Sequence, residues 1–373
     1  MSDIRLFLCG DVMTGRGIDQ ILPHPGDPLL YEPAMTSALG YLRLAERASG
    51  PIPRPADFGY VWGDLPRALE ALRPAARIVN LETAITDRGE PDPKGINYRM
   101  HPANVLCLTA AGIDCCVLAN NHVLDWGVEG LEDTLDTLSA ARLPTAGAGR
   151  TAAEAAAPAV LEVDGSRRIL VFGLCTGSSG VPRGWAATGD RPGVSLVEQC
   201  SDRSVARVAE AVRRLKQPGD IVVASVHWGG NWGYAVPRAQ QHFAHALIDR
   251  AGVAIVHGHS SHHPKAIELY RGRLILYGCG DLLNDYEGIG GYEEYRGDLT
   301  LAYFPLLSAE DNSLLRLDLR AYRIRQFRLS EATHEETAWL AERLTREGQR
   351  FGTRLTEAGA GALTLDRPLP ERL

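Results

Sequence analysis

The seven residues His257-Gly258-His259-Ser260-Ser261-His262-His263 hold four histidines around a glycine. Packing alone does not explain that density, whereas neutral imidazoles are common donors to divalent cations. Further donors stand where other apolar runs end. The run 4–10 meets Asp11 and, after a turn, Arg16; 76–79 meets Asn80-Leu81-Glu82; 114–119 meets Asn120-Asn121-His122 with Asp125 beyond; 220–226 meets His227. Oxygen and imidazole donors without thiolates suit Mn, Fe, Zn or Mg rather than a structural zinc. Taken singly, each has an ordinary reading. Gly10-Asp11 serves as a turn, Glu82 suits the first turn of a helix, and His227 alone fits a core. The joint pattern is what points to a metal. The acidic stretch from Asp281 to Glu294 reads equally as a solvated loop, a cation site or a cleft wall. His24, His101, His242, His245 and His334 lie off the run ends and read as structural or solvated. Thr145-Ala146-Gly147-Ala148-Gly149-Arg150 lacks the Lys-Ser/Thr of a phosphate loop, so nucleotide binding there is discounted.

These donors need elements to carry them. Candidate strands fall at 4–10, 76–82, 114–119, 168–174, 220–227, 253–257, 273–278, 299–305 and 315–324. Most are continuous apolar runs such as Ile221-Val222-Val223-Ala224, the pattern of strands covered on both faces. Amphipathic segments lie between them, with Val128, Leu131, Leu135 and Leu138 at helical spacing, and Val205, Val208, Val212 and Leu215 likewise. Alternating strands and helices predict an α/β fold with largely parallel, buried sheets. In such sheets ligands bind at the carboxyl ends of the strands, where these donors sit. Residues 20–60, dense in proline around a short helix near 34–48, form an excursion after the first strand. Residues 1–325 read as the main domain. Residues 326–373 read as an amphipathic helix over 333–352 and a tail expected to be poorly ordered unless something docks it.

At 373 residues and 40.5 kDa, with 45% apolar and 23% charged residues, the chain can bury a substantial core. Its 39 basic and 46 acidic residues give a formal charge of −7, which argues against a nucleic-acid partner or an anionic membrane surface. No apolar run approaches the roughly 18–20 residues of a spanning helix. The N-terminus does not read as a signal peptide. Seven scattered cysteines contain no CxxC pair, so disulfides are not indicated. A cytoplasmic protein without a membrane anchor is expected.

The blocks Gly10-Asp11-(four residues)-Arg16, Asn80-Leu81-Glu82, Ala119-Asn120-Asn121-His122-(two)-Asp125-(one)-Gly127, His227-Trp228-Gly229 and Gly258-His259-(two)-His262 occur in this order. Together they resemble the poly-γ-glutamate capsule biosynthesis (CapA-type) family, related to the calcineurin-like metallophosphoesterases, over about residues 4–285. The resemblance implies a four-layer α/β/β/α sandwich of metallophosphoesterase type, with one or two divalent metal ions (Mn, Fe or Zn) at the strand ends. It implies Asp11 as the first metal carboxylate, Glu82 at a bridging position and Asn121 as an amide-oxygen ligand. His227, His259 and His262 would be the imidazole ligands, and His122 the histidine that touches substrate. Two departures stand out. Asp11-Val12-Met13 lacks the histidine of the Asp-x-His block, and two residues rather than one separate His259 from His262. The second departure leaves His263 as an alternative to His262, which is the residue adopted.

The expected chemistry is metal-dependent hydrolysis of a γ-glutamyl, amide or phosphoester bond in a small or polymeric anionic substrate. His122 would act as acid, Asp125 would orient it, and Arg16 would neutralise a substrate anion by a bidentate contact. Segments 20–60 and 281–295 are expected to shape the cleft. The rival is a non-catalytic capsule-assembly or ligand-binding protein on a degenerate scaffold.

Overall fold

The computed structural model describes residues 2–163, 165 and 167–366. The chain builds one sheet, crosses to a second, and returns to the first. β1 (Ile4–Val12), α1 (Ala38–Ser49), α2 (Leu65–Leu72), β2 (Ala76–Leu81), β3 (Cys115–Val117) and α3 (Gly127–Ala140) come first. β1, β2 and β3 lie parallel, side by side. Then follow β4 (Arg167–Thr176), α4 (Asp202–Leu215), β5 (Ile221–His227), α5 (Arg238–Ala251), β6 (Ile255–His259) and β7 (Arg273–Leu276). These four strands form the parallel centre of a separate sheet, in chain order. Finally β8 (Asp281–Leu283), β9 (Leu299–Leu307) and β10 (Leu314–Arg325) rejoin the first sheet, ahead of α6 (His334–Gly348). β9 runs antiparallel beside the start of β1, and β8 runs parallel beside its end.

Side-chain alternation makes the layers. Leu6 and Leu8 of β1 face inward and meet Val171, Val223 and Ile255 of the opposing sheet. Phe7 and Cys9, between them, face outward onto Leu42, Leu69 and Leu131 of the helices. On the other sheet Phe172, Val222 and Val256 face Val205, Val208, Phe243 and Leu247 of α4 and α5. Three buried seams therefore separate four layers, the α/β/β/α sandwich expected. Each fully buried side chain of this kind contributes about 1.5–3 kcal/mol.

All nine expected strands form, with ends shifted by up to two residues. α1 starts at Ala38 rather than near 34, and α6 ends at Gly348. α6 begins in a capping box, in which the Thr333 hydroxyl accepts from Glu336 N–H and the Glu336 carboxylate accepts from Thr333 N–H. The tail is docked as far as Asp366. Arg354–Glu357 and Ala362–Asp366 pair antiparallel, and the latter strand docks on β10 with Leu363 opposite Leu319. Burial of Leu355 and Leu363 anchors them. Residues 367–373 of the expected tail lie outside the described residues. Hairpin partners beyond the expected strands include Ala159–Val163 beside β4 and Ile267–Tyr270 beside β7. Both are short and lie at the margins of the parallel ladder.

Among the described residues, no helix is long and apolar enough to cross a membrane.

Candidate metal centre

The strands of both sheets end at one rim, and their terminal side chains converge there. Asp11 sits at the end of β1, fully buried. Its Oδ1 accepts from Asn80 Nδ2 at 2.7 Å, and its Oδ2 accepts from the backbone N–H of Ser260, just past β6, at 3.1 Å. Two donor groups share this carboxylate: Asp11 with His227 and His259, and Asp11 with His262 and Asp281. Within each group the ligand atoms all lie within 4.8 Å of one another.

His227 and His259 are register partners on β5 and β6. A hydrogen-bond relay fixes the tautomer of His259. Nε2 of His257 lies 2.7 Å from the Cys9 carbonyl, which can only accept, so that nitrogen carries the proton. Nδ1 of His257 then accepts from the Ser225 hydroxyl at 3.0 Å, and Ser225 Oγ accepts from His259 Nε2 at 2.9 Å. His259 Nδ1 is left as a bare lone pair, 2.8 Å from His227 Nδ1 and 3.7 Å from Asp11 Oδ1. His227 Nε2 lies 2.8 Å from the Asn121 carbonyl oxygen. With that amide orientation Nε2 carries the proton, and His227 Nδ1 is bare as well. Two facing lone pairs beside a buried carboxylate fit a cation.

The second group joins the first through Asp11. His262 Nδ1 lies 2.9 and 3.1 Å from the two carboxylate oxygens of Asp281, and Asn284 Nδ2 donates to Asp281 Oδ2 at 2.8 Å. β8 places Asp281 directly opposite Asp11. That approach requires glycine at position 10, because a Cβ there would stand 1.5 Å from the Gly280 carbonyl oxygen. His263 turns away: its Nδ1 faces the Pro264 carbonyl, and its ring packs on Tyr234, Tyr295 and Trp232. Of the two alternatives, His262 is the one that meets the acids.

Glu82 lies in neither group. Its Oε2 accepts from Asn80 Nδ2 at 3.3 Å, and its Oε1 stands 3.7 Å from His122 Nε2 and 3.9 Å from His227 Nε2. The position common to both donor groups is held by Asp11, not by Glu82. His122 is oriented from behind: its Nδ1 lies 2.6 Å from Asp125 Oδ2, whose partner oxygen is 2.5 Å from Lys94 Nζ. Asp125 also accepts from the backbone N–H of Tyr98 at 2.6 Å. The Asn120 carboxamide accepts from the His122 and Val123 N–H groups and donates to the Leu81 carbonyl, tying the turn after β3 to β2.

Arg16 does not meet its expectation. Nε and Nη2 clasp Asp285 at 3.1 and 2.5 Å, and Nη1 donates to Glu32 at 2.9 Å. The guanidinium also lies over the rings of Tyr41 and Tyr98. Its bidentate face is occupied by Asp285, so it ties the 20–60 excursion to the 281–295 segment instead of receiving a substrate anion.

Burial governs the electrostatics. It raises the Asp11 carboxyl to about 7, with Asp281 adding to the rise, and holds Glu82 well above the usual carboxylate range, with Asp11 adding. It presses His227 and His259 well below the usual imidazole range. Burial also lowers His122 to about 4, against the pull of Asp125. For His262 burial is outweighed by Asp281, and the ring is shifted upward. Uncharged imidazoles and closely packed acids are what a divalent cation stabilises.

Of the three readings open for the stretch from Asp281, the cation site is the one Asp281 fits; Lys94, Asn80, Asn120 and the Ser225–His257 relay carry no assigned role in the sequence reading. Asp281 had a signal: Gly280-Asp281 repeats the Gly10-Asp11 strand-end pattern. Lys94 lies in a turn-rich stretch with no such mark.

Residues 5–286 match the family described as bacterial capsule synthesis protein PGA_cap. Every residue of both donor groups falls inside that span. The chain is 48% identical over 354 residues to the probable polyglutamine synthesis accessory protein of two Mycobacterium tuberculosis strains, covering 94% of this chain and 93% of the relative. It is 28% identical over 278 residues to the PGA biosynthesis protein CapA of Bacillus subtilis, covering 74% of this chain and 62% of that one. With the capsule biosynthesis protein CapA of Bacillus anthracis the identity is 24% over 282 residues, covering 76% and 60%.

Proposed function

Because the chain belongs to the PGA_cap family of bacterial capsule synthesis proteins, we propose that it is a metal-dependent hydrolase. Its substrate would be anionic, and the bond cut a γ-glutamyl, amide or phosphoester linkage. One observation carries this reading. His122 is held by Asp125 through Nδ1, while its Nε2 faces the same Glu82 oxygen that faces His227. A histidine that only filled space would not need both contacts.

Asp11, His227, His259, His262 and Asp281 would hold one or two divalent ions, with Asn121 and Glu82 beside them. Such an ion supplies Lewis acidity, polarising the attacked group and lowering the pKa of water. The protein supplies the rest. Asp125 keeps the proton on His122 Nδ1, leaving Nε2 free to exchange one with the reacting groups. With the ring shifted down to about 4, His122 is neutral at pH 7 and begins as a proton acceptor. The proton it later gives to the leaving group is one it has first taken up. Lys94 Nζ stands 2.5 Å from the other Asp125 oxygen and completes that support.

A second reading is an accessory, non-catalytic role. Met13, fully buried, stands where the related Asp-x-His block has its histidine, and the mycobacterial relative carries the word accessory in its name. The test is elemental analysis of the purified protein, followed by turnover of a chromogenic phosphodiester and a γ-glutamyl anilide with added Mn²⁺. The hydrolase reading expects turnover that His122→Gln removes while metal content stays. Tight metal without turnover of either substrate would favour the accessory reading.

A further inference from the structure

A second concave surface opens near the same rim, with a charge opposite to that of the chain. This cleft of about 560 Å³ lies between the Ala152–Ala156 helix, the segment 183–187 and the first turns of α4. Arg183, Arg203 and Arg207 line it, all exposed, and Glu198 is the acid among its lining residues. Three positive charges against one negative leave +2, in a chain whose formal charge is −7. Neighbouring acids are engaged elsewhere: Asp202 pairs with Arg250, Glu210 with Arg213 and Arg214, and Asp136 with Arg150.

Arg203 and Arg207 sit one turn apart on α4, so two like charges are adjacent. Arg203 also lies in the first turn of the helix, whose N-terminal end disfavours cations. Both penalties are relieved when an anion binds between them. The cleft is connected to the metal centre by register. Leu196 in its wall pairs with Cys175 of β4, and Cys175 pairs with His227 of β5. Two strand spacings of about 4.8 Å put that wall about 10 Å from the His227 backbone. Trp185, two residues beyond Arg183, lies 5.1 Å from Lys94 Nζ, the cation that holds Asp125.

We infer that this cleft is a subsite for an extended polyanion, gripping one of its carboxylate or phosphate groups while a neighbouring unit reaches the centre. Guanidinium groups take both anions in the same two-pronged way, so the shared chemistry is a repeated oxyanion on a flexible chain. The part of the inference that concerns reach to the centre rests on the hydrolase reading; the binding itself does not.

The test is titration of the full-length protein, by calorimetry at low and moderate salt, with a glutamate oligomer, inorganic polyphosphate and free glutamate. Variants are Arg203→Gln/Arg207→Gln and the charge-keeping Arg203→Lys/Arg207→Lys. Expected is salt-sensitive binding of one polymer, far above that of free glutamate, and weakened about tenfold or more in the Gln pair as charge-assisted bonds are lost. The Lys pair should recover part of it. Whichever polymer loses more affinity identifies the carboxylate or the phosphate source. Equal binding by wild type and the Gln pair, or no binding of either polymer, overturns the proposal. Turnover of the small chromogenic substrates and metal content should be unchanged in both variants. Binding that persists without any turnover would sink the hydrolase reading and leave the cleft standing.

Discussion

The two sheets bring different chemistry to the same rim. The first sheet contributes carboxylates and carboxamides: Asp11, Asp281, Asn80 and Glu82, with Asn120 and Asn121 just past β3. The second contributes imidazoles and a hydroxyl: Ser225, His227, His257 and His259. Burial acts on both sets, and it drives both towards the uncharged form. Asp11 and Glu82 rise, and His227, His257 and His259 fall. Apart from His262, which pairs with Asp281, these imidazoles offer little positive charge to the buried acids. A divalent cation would satisfy both at once, with ionised oxygens from one sheet and bare nitrogens from the other. The lesson is that the convergence of two sheets, rather than any single motif, makes the centre.

Removing the residue common to both donor groups should break that comparison most severely. Asp11→Ala is expected to weaken binding of every equivalent of metal by roughly a hundredfold or more, read by elemental analysis after dialysis. Retained metal would show that the sheets do not share an ion through this carboxylate. A smaller effect separates the halves. His259→Ala should remove the equivalent held with His227, and His262→Ala the equivalent held with Asp281, so titrated stoichiometry should fall by one in each. Loss of everything in both would mean a single site.

Smaller still is the effect of the relay. Ser225→Ala breaks the chain that keeps His259 Nδ1 bare, and should cost about 10- to 100-fold in metal affinity with the fold intact. Nitrogen chemical shifts of His259 would reveal the tautomer change independently. The mildest signature is in pH. The Asp11 carboxyl is raised from 3.8 to about 7 on folding. Its contribution to the stability of the metal-free protein is thus fully present below about pH 3.8 and is lost as pH rises through about 7. Added Mn²⁺ must displace that proton, so the increase in Tm it produces should grow across the same interval. A metal-induced shift that is flat in pH would place the ion away from Asp11.

Much of this arrangement was legible in the sequence, for definite reasons. Continuous apolar runs mark strands buried on both faces, and parallel strands must present their ends at one rim. The residues after those runs were therefore candidates, and Asp11, His227, His259 and His262 do meet. What the sequence concealed was pairing between distant segments. Asp281 reads equally as loop, cation site or cleft wall until β8 aligns with β1. Arg16 reads as an anion receptor until Asp285, 269 residues away, fills its fork. The strands Arg354–Glu357 and Ala362–Asp366 are too short and too polar to announce themselves, and form because β10 offers an edge. His262 and His263 differ only in which way the chain turns after His259, and that turn has Ser260 at φ 95°, a conformation residue type alone does not foretell.

The Cys9 carbonyl receives His257, and Asp11 receives Ser260, so hydrogen bonds cross from one β-layer to the other at the rim. An ion seated there would act as a rivet through both leaves of the sandwich. Starving the protein of that ion would loosen the leaves against each other rather than fray a surface loop. Its lifetime in a cell would then follow the supply of metal, since a ligand that binds the folded state alone protects it from unfolding and degradation.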